Sequence, residues 1–216
     1  NFFDLEFKTG NNNTVFAAST TNIFTSIDFG STWNQDSIGL PTSGVGRIAL
    51  ATTPTDSNII YAHCTDVNNW GFFGFYRSID GGTTWALMSN TPNTMGWDVA
   101  GGDIGGQGWY TLSCAAFGDT IYTGGVNIWK STDGGATWNC NAHWYGANGL
   151  PYVHADIHSL EFYNGKLYAA CDGGLFITSD NGQSWQDLSN GLQIAQYYRF
   201  GNSATSNNLF YAGAQD

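Results

Sequence analysis

The stretch Ser131-Thr132-Asp133-Gly134-Gly135-Ala136-Thr137-Trp138 decides the fold, because the chain of 216 residues contains four versions of it. The other copies occupy residues 26–33, 78–85 and 178–185, and all four fit the pattern Ser/Thr-x-Asp-x-Gly-x-Thr/Ser-Trp. Successive aspartates are 52, 53 and 47 residues apart (80−28, 133−80 and 180−133). A repeat of roughly 50 residues indicates a repeated supersecondary unit and not a domain with one continuous core.

Each residue type in this motif suits a tight turn. An aspartate carboxylate can accept hydrogen bonds from nearby backbone N–H groups, and glycine adopts the positive φ that such a turn needs. Thr or Ser adds a second local hydrogen bond, and Trp supplies a large apolar plate with one N–H group. We therefore predict a structural turn in preference to a calcium or sugar site. The predicted structural residues are Asp28, Gly30, Trp33, Asp80, Gly82, Trp85, Asp133, Gly135, Trp138, Asp180, Gly182 and Trp185.

The four copies resemble the Asp box, or BNR repeat, of sialidase-like, xyloglucanase-like and related β-propellers. This resemblance covers nearly the whole chain and implies a fold without naming an activity. Each unit has the order strand, strand, strand, motif, strand, and no segment shows a helical apolar period. We predict an all-β protein, a β-propeller of four-stranded antiparallel blades present as a partial array of about four and a half blades. The predicted blades are residues 1–39, 40–92, 93–147 and 148–190, with a partial blade at 191–216.

Composition excludes some classes of partner. The formal net charge is −11, from 17 acidic and 6 basic side chains, and the basic ones are scattered along the sequence. Binding of nucleic-acid phosphates needs clustered Lys and Arg, so we predict no nucleic-acid partner. No apolar run approaches the ~20 residues of a transmembrane helix, so we predict no membrane span.

Both ends of the chain read as strands, and a strand at a bare terminus exposes unpaired backbone groups. We therefore expect the partners of this chain to include the remainder of its own propeller or other domains of a parent chain. The four cysteines, Cys64, Cys114, Cys140 and Cys171, have no zinc-site spacing, and free thiols are favoured. The alternative for them is one disulfide that involves Cys114 or Cys140.

A cluster of polar residues, His154-Ala155-Asp156-Ile157-His158, precedes the first strand of the fourth unit. In an extended chain His154, Asp156 and His158 would share one face. Such a trio could hold a divalent metal or orient a sugar hydroxyl, and the structural alternative is a cluster in which Asp156 sets the histidine tautomers. Apart from this metal, no cofactor is predicted.

The loop over residues 96–110 is rich in glycine and does not match a phosphate-binding fingerprint. Trp97, Trp109 and Tyr110 would suit stacking on sugar rings, while Asp98 and Asp103 would suit sugar hydroxyls. The alternative is a loop packed on its own aromatic side chains. We predict that a strand follows at Trp109–Ala115.

Several carboxylates in predicted loops could take part in catalysis. Glycoside hydrolysis normally needs two carboxyl groups, and the candidates in predicted loops are Asp98, Asp103 and Asp156, with Asp172 as a further carboxylate. The sialidase signature Arg-Ile-Pro is missing, since the chain reads Gly46-Arg47-Ile48-Ala49. This departure argues against sialidase activity.

The segments 154–158, 172–176 and 187–192 look like those of large bacterial secreted or cell-surface BNR-repeat proteins, many of them exported by the type IX system. That resemblance implies an extracellular or cell-surface location. The main prediction is a non-enzymatic binding, adhesion or scaffold module for glycan or protein ligands at the rim of the channel. The alternative is a sialidase- or xyloglucanase-like glycoside hydrolase, with its carboxylates partly in missing blades.

Overall fold

The computed structural model describes residues 1–36, 38–192, 197–202, 205–206 and 210–214. The first sheet comprises β1 (Phe2–Lys8), β2 (Asn11–Ser19), β3 (Ile23–Ser26) and β4 (Asn34–Asp36). The second comprises β5 (Val45–Thr52), β6 (Ile60–Asp66), β7 (Phe72–Ser78) and β8 (Ala86–Ser89).

The third sheet comprises β9 (Ser113–Phe117), β10 (Thr120–Gly124), β11 (Ile128–Ser131) and β12 (Asn139–Ala142). The fourth comprises β13 (Ile157–Tyr163), β14 (Lys166–Cys171), β15 (Gly174–Thr178) and β16 (Gln186–Asp187). A two-stranded sheet of β17 (Tyr197–Asn202) and β18 (Phe210–Ala214) follows. The only helical turn within the described ranges is Ala147–Gly149.

The sheets have the same topology and are arranged around a centre. In each of the four, the strands lie in chain order and pair antiparallel, and the repeated motif joins the third strand to the fourth. The first strands of successive sheets contact one another, since β5 touches β1 and β9, and β9 touches β13. This arrangement is that of a β-propeller, in which each sheet is one blade. The predicted fold class is confirmed.

The first strands enclose a polar cavity of about 130 Å³ at the centre. All four contribute to its lining, with Glu6 from β1, Arg47 from β5, Ser113 from β9 and Glu161 from β13. Glu6 and Glu161 occupy matching positions in the similar segments Asp4-Leu5-Glu6-Phe7 and Ser159-Leu160-Glu161-Phe162. The repeat therefore brings two acidic side chains to the same cavity.

The repeated motif folds as a compact turn. In the third copy, Asp133 Oδ1 accepts hydrogen bonds from the Ser131 hydroxyl at 2.7 Å and the Thr137 amide at 2.9 Å, and its Oδ2 accepts one from the Thr137 hydroxyl at 2.6 Å. The other three copies make the same set of bonds. In each turn the aspartate carboxylate thus supplies the hydrogen-bond acceptor for a backbone amide of the turn.

Apolar cores fill the spaces between successive sheets. The motif tryptophans Trp85 and Trp138 are buried in the cores against the first and second sheets, and Trp185 packs half-buried on the third. Such large side chains contribute much of the apolar area that stabilises the contact between blades. Trp33, in the first sheet, remains 40% exposed.

Two details differ from, or extend, the expectations from sequence. The strand predicted at Trp109–Ala115 begins only at Ser113, because the amides of Tyr110 and Thr111 both bind the Gln107 carbonyl and close a turn. All four cysteines are free thiols, so the alternative disulfide is absent.

Within the described residues there is no helix with the length and apolar character that crossing a membrane requires.

Candidate functional site

The connections between strands lie at two opposite ends of the sheets. We call one end the motif rim: it holds the four motifs and the hairpins that join first to second strands, at residues 8–11, 53–59, 117–120 and 163–166. Hydrogen bonds from the Gly81 amide to Asn58 and from the Gly134 amide to Asp119 tie these parts together. We call the other end the loop rim, and it includes residues 19–23, 38–44, 66–71, 90–112, 124–127, 143–156 and 171–174.

The longest segment of the loop rim, residues 90–112, spans the second and third sheets. The amides of Gly106 and Gly108 donate to the carbonyls of Asn69 and Trp70 at 3.0 Å each. On the other side, the Asn127 side-chain amide donates to the Trp97 carbonyl at 3.1 Å. The loop is therefore held at both ends by neighbouring blades.

Asp98 and Asp103, two of the predicted catalytic carboxylates, are engaged within this loop. Asp98 accepts the amides of Ala100 and Gly102 at 3.1 Å each. Oδ2 of Asp103 accepts the amides of Trp97 and Asp98 at 2.5 Å each. Both carboxylates hold the loop's own backbone, which is the role of an aspartate in a turn.

Five large aromatic side chains of the loop rim are exposed to solvent. Their exposed fractions are 43% for Trp97, 60% for Trp109, 41% for Trp144, 63% for Tyr145 and 49% for Tyr152. Trp109 packs against Tyr110, with ring centroids 5.4 Å apart, and Trp144 packs edge-on against Tyr145 at 4.6 Å. Exposed rings that hold one another in place can stack on the apolar faces of a ligand such as a sugar.

The middle of the loop rim holds a polar cluster that joins three sheets; we call it the Asp172 cluster. His158 Nε2 donates to Asp172 Oδ1 at 2.6 Å, and the Tyr110 hydroxyl donates to the same carboxylate at 3.2 Å to its nearer oxygen. The rings of Tyr110 and His158 meet edge-on at 5.0 Å. Arg47 Nη1 donates to the Tyr110 carbonyl at 3.3 Å. Asp172 is thereby held by donors from the long loop and from β13.

Asp156 lies beside this cluster in a different electrostatic environment. Its carbonyl accepts the Asp172 amide at 3.3 Å, and its Oδ1 is buried with no hydrogen-bond partner among the described residues. Burial raises the pKa of Asp156, and the Asp172 carboxylate raises it further, while His158 and His154 oppose the increase. Two neighbouring carboxyl groups whose surroundings differ in this way can take different protonation states.

The predicted trio of His154, Asp156 and His158 is not brought together as one face. Asp156 adopts a φ of +66°, and β13 begins only at Ile157, so the extended alternation that the prediction assumed is broken. His154 instead lies over Gly173, with Nδ1 3.1 Å from the Ala155 carbonyl. In the part of the chain that the structure describes, no three His, Cys, Asp or Glu side chains form a group that could hold a metal ion.

The predicted site residues therefore lie in two places, a polar cluster and an exposed aromatic surface. His158 and Tyr110 meet at the Asp172 cluster with Asp156 beside them, whereas Trp97 and Trp109 lie on the exposed aromatic surface. Trp144, Tyr145 and Tyr152 were not among the predicted ligand-binding residues. For Trp144 and Tyr145 the signal in the sequence was the run His143-Trp144-Tyr145, which places adjacent aromatic residues in a predicted loop; Tyr152 lies outside this run.

Most of the chain is similar in sequence to a known protein. No family model matches it. A xyloglucanase from Paenibacillus sp is 33% identical over 189 residues, which cover 78% of this chain and 16% of that protein. This chain therefore spans about a sixth of the length of that curated relative.

Solved structures agree on the architecture. The crystal structure of the GH74 xyloglucanase from Xanthomonas campestris has a TM-score of 0.63 and 16% identity, over 91% of this chain and 31% of that one. YCF48 bound to D1 peptide has a TM-score of 0.58 and 12% identity, over 94% of this chain and 59% of that one. At these identities the likeness shows the β-propeller fold alone.

Proposed function

We propose that this chain is part of a glycoside hydrolase that cleaves a glucan of the xyloglucan type at the loop rim. The observation that carries the proposal is the position of the Asp156–Asp172 pair at the same rim as five exposed aromatic rings. Glycosidases need two carboxyl groups in different protonation states, and sugar rings stack on aromatic faces. The two carboxyl groups and the exposed aromatic rings that the proposal needs lie at one end of the propeller.

Each carboxyl group has a distinct role in this proposal. Asp156, whose pKa is raised by burial and by Asp172, keeps its proton and donates it to the leaving glycosidic oxygen. Asp172, held by donors from His158 and Tyr110, accepts a proton from the attacking water. One proton leaves Asp156 and one reaches Asp172, so the hydrolysis balances without a metal or other cofactor.

The comparisons favour this hydrolase over the non-catalytic binding module, which was the main prediction from the sequence. The similarity to the Paenibacillus xyloglucanase covers 78% of the chain. A polymeric plant glucan cannot enter a cell intact, so we infer that the protein acts outside the cell or on its surface. Export by the type IX system, and membership of the Asp-box class of propellers, belong to this proposal and rest on the sequence resemblance.

The proposal is tested with the complete protein that the gene encodes and with purified xyloglucan. Release of reducing ends is measured for the wild type and for Asp156→Asn and Asp172→Asn. Each variant keeps the shape of the side chain and removes a proton donor or acceptor, and we expect a loss of at least ~100-fold in rate. Asp56→Asn, on the motif rim, is the matched control and should retain full activity.

Binding is measured separately from catalysis. Trp109→Ala should weaken retention on xyloglucan in an affinity gel, because stacking is lost, while Tyr163→Ala, which removes an exposed aromatic on the motif rim, should not. If the wild type releases no reducing ends but binds the polymer through Trp109, the chain is a glycan-binding module. Absence of both binding and hydrolysis would refute the proposal for this substrate class.

A further inference from the structure

A pocket of about 410 Å³ opens at the motif rim between the third and fourth blades; we call it the interblade pocket. The third blade lines it with β10 and the hairpin before β10, and the fourth lines it with β13, β14 and its motif. Phe117, Tyr122 and Phe162 supply aromatic rings to the lining. The pocket lies at the end of the propeller opposite the Asp172 cluster and shares no residue with it.

The equivalent interface between the second and third blades is closed. The amide of Gly118, in the hairpin of the third blade, donates to the Thr53 hydroxyl at 2.7 Å, and the Tyr61 hydroxyl donates to the Gly118 carbonyl at 3.0 Å. A methyl group added at Gly118 would lie 3.6 Å from the Thr55 side chain. The hairpin of the third blade therefore rests on the second blade.

Between the third and fourth blades this closure is missing. Tyr122 matches Tyr61 in the strand register, yet its hydroxyl donates to Oδ1 of Asn181 in the fourth motif at 2.9 Å. A methyl group added at Gly165, in the hairpin at 163–166, would have nothing within 4 Å. Among the described residues no hydrogen bond joins this hairpin to the third blade. The interface is therefore open at this point, and the opening is the pocket.

Aromatic rings form one part of the pocket surface. The ring centroid of Phe162 lies 6.0 Å from that of Phe117 and 5.9 Å from that of Tyr122. Tyr122 is fully buried, whereas Phe117 is 51% exposed. The rings therefore hold one another in position, and Phe117 offers an accessible aromatic surface to a ligand.

Polar groups with unused hydrogen-bonding capacity form another part. Asn181 accepts from Tyr122 through Oδ1 and from Lys130 through its carbonyl, but its Nδ2 has no partner among the described residues. The hydroxyls of Thr120 and Ser179, which also line the pocket, bind no other side chain or backbone group in the described ranges. An amide donor and two hydroxyl groups are therefore available to a bound molecule.

The charges at the interblade pocket favour a neutral ligand. Asp180 is the one charged side chain among the described lining residues, and donors of its own motif bind both of its oxygens. The Lys130 ammonium lies nearby, 5.5 Å from the centroid of the Tyr122 ring. It balances the aspartate and occupies the aromatic face that an organic cation would use. A wholly apolar ligand would leave the Asn181 amide unpaired on binding.

We propose that the interblade pocket binds a neutral sugar residue and is a second carbohydrate site, at the opposite end of the propeller from the loop rim. A pyranose ring has an apolar face that suits Phe117 and hydroxyl groups that suit the unpaired amide and hydroxyls. The volume of about 410 Å³ lies within the range of small-ligand sites, ~300–1,000 Å³. A glucan bound here would not compete with one bound at the loop rim.

The test uses the complete protein that the gene encodes and a cellobioside whose aglycone carries a photoreactive diazirine. After irradiation, mass spectrometry should find the label on peptides that contain residues 117–122 or 178–181, besides any label at the loop rim. Excess cellotriose should remove the label from these peptides. Excess of the aglycone alone should leave it in place.

Two variants test whether the pocket itself holds the sugar. Phe117→Ala removes an exposed ring, and Asn181→Gly introduces the residue that Gly81 and Gly134 provide at the same place in two other motifs, so both variants should fold. Each should raise the cellotriose concentration that halves labelling of the pocket peptides by about fivefold or more. Tyr163→Ala, which removes an exposed ring of the same rim outside the pocket lining, is the matched control and should leave that concentration unchanged.

The contrary results are distinct. Absence of label from the pocket peptides, or label that cellotriose does not displace, would overturn the proposal. Displacement by the aglycone alone would overturn it in favour of an apolar ligand. Asp156→Asn should keep the pocket label whether or not it loses the release of reducing ends, so the result for this pocket is separate from the result for the hydrolase.

Discussion

Nε2 of His158 lies 2.6 Å from Oδ1 of Asp172, which joins the first strand of the fourth blade to the turn after its second strand. The hydroxyl of Tyr110, 62 residues away in the chain, donates to the same carboxylate. Donors from two segments far apart in the chain therefore hold the Asp172 carboxylate in place. Asp156, with a buried oxygen that lacks a partner, has surroundings that favour the protonated form.

His158 should act as a positioning residue for Asp172. We expect His158→Ala to lower kcat on xyloglucan by at least ~10-fold with little change in KM, because the base loses its orienting donor. His158→Gln offers a side-chain N–H in place of the imidazole and should recover part of the rate. Ser159→Ala, on the next residue of β13, should match the wild type. Equal kcat values for His158→Ala and the wild type would exclude this role.

Glu6 should destabilise the fold at neutral and alkaline pH. Burial, with the Asp4 and Glu161 carboxylates nearby, raises the pKa of Glu6 from its ordinary value of 4.5 to about 8. As pH rises from about 4.5 to about 8, the unfolded chain loses this proton while the folded chain keeps it, so the free energy of unfolding decreases. Glu6→Gln removes this dependence.

The measurement for Glu6 is thermal unfolding as a function of pH. Glu6→Gln should unfold at the same temperature as the wild type at pH 4 and at least ~3 °C higher at pH 8.5. Glu161→Gln, which changes the more exposed partner in the same cavity, should give a smaller increase. An identical shift at both pH values would show that the effect is one of packing.

The motif aspartates should make the fold sensitive to acid. Hydrogen bonds from the Thr84 side chain and backbone lower the pKa of Asp80 from 3.8 to about 2, and those from Ser184 lower that of Asp180 likewise. A depressed pKa in the folded state gives stability that is complete above about 3.8 and is lost as pH falls through about 2.

Unfolding curves between pH 5 and pH 2 check this prediction. Asp80→Asn should lower the melting temperature at pH 5 and flatten its decrease toward pH 2. Asp56→Asn, in a hairpin of the same rim, should leave the slope unchanged. A wild-type melting temperature that stays constant down to pH 2 would contradict the argument.

Gly135 should be intolerant of a side chain for two separable reasons. It has a φ of +92°, and a methyl group there would meet the Phe75 ring of the preceding blade. Gly165 has a φ of +73° with nothing within 4 Å, so Gly165→Ala measures backbone strain alone, about 1 kcal/mol. Gly135→Ala should cost ~1–3 kcal/mol more by chemical denaturation, because overpacking is added. Similar costs for the two variants would mean that the interface accommodates the methyl group.

Most of the fold could be predicted from the sequence, because the information is local and repeated. Within each motif the carboxylate, the glycine and the tryptophan are at most a few residues apart, and four copies define both the blade and its strand order. The end of the long loop was predicted less well. The amides of Tyr110 and Thr111 donate to the Gln107 carbonyl, so β9 begins only at Ser113. Composition does not indicate this turn.

The candidate site was predicted only in part, because it is assembled from distant segments. Asp156 and His158 were expected to share one face of an extended strand, but a positive φ at Asp156 breaks the extended alternation. Asp172 was recognised as a carboxylate in a loop, yet its contact with Tyr110 depends on how the third and fourth blades pack. No spacing along the chain encodes that relation.

The division of the molecule into a motif rim and a loop rim has a consequence for its evolution. The motif turns that hold each blade together and the exposed aromatic residues of the loop rim share no turn, so mutation can change one end without loss of folding at the other. A library randomised only at the exposed positions Trp97, Trp109, Trp144, Tyr145 and Tyr152 would vary the surface of the loop rim on an unchanged framework, and duplication of a blade would add a loop together with its own turn.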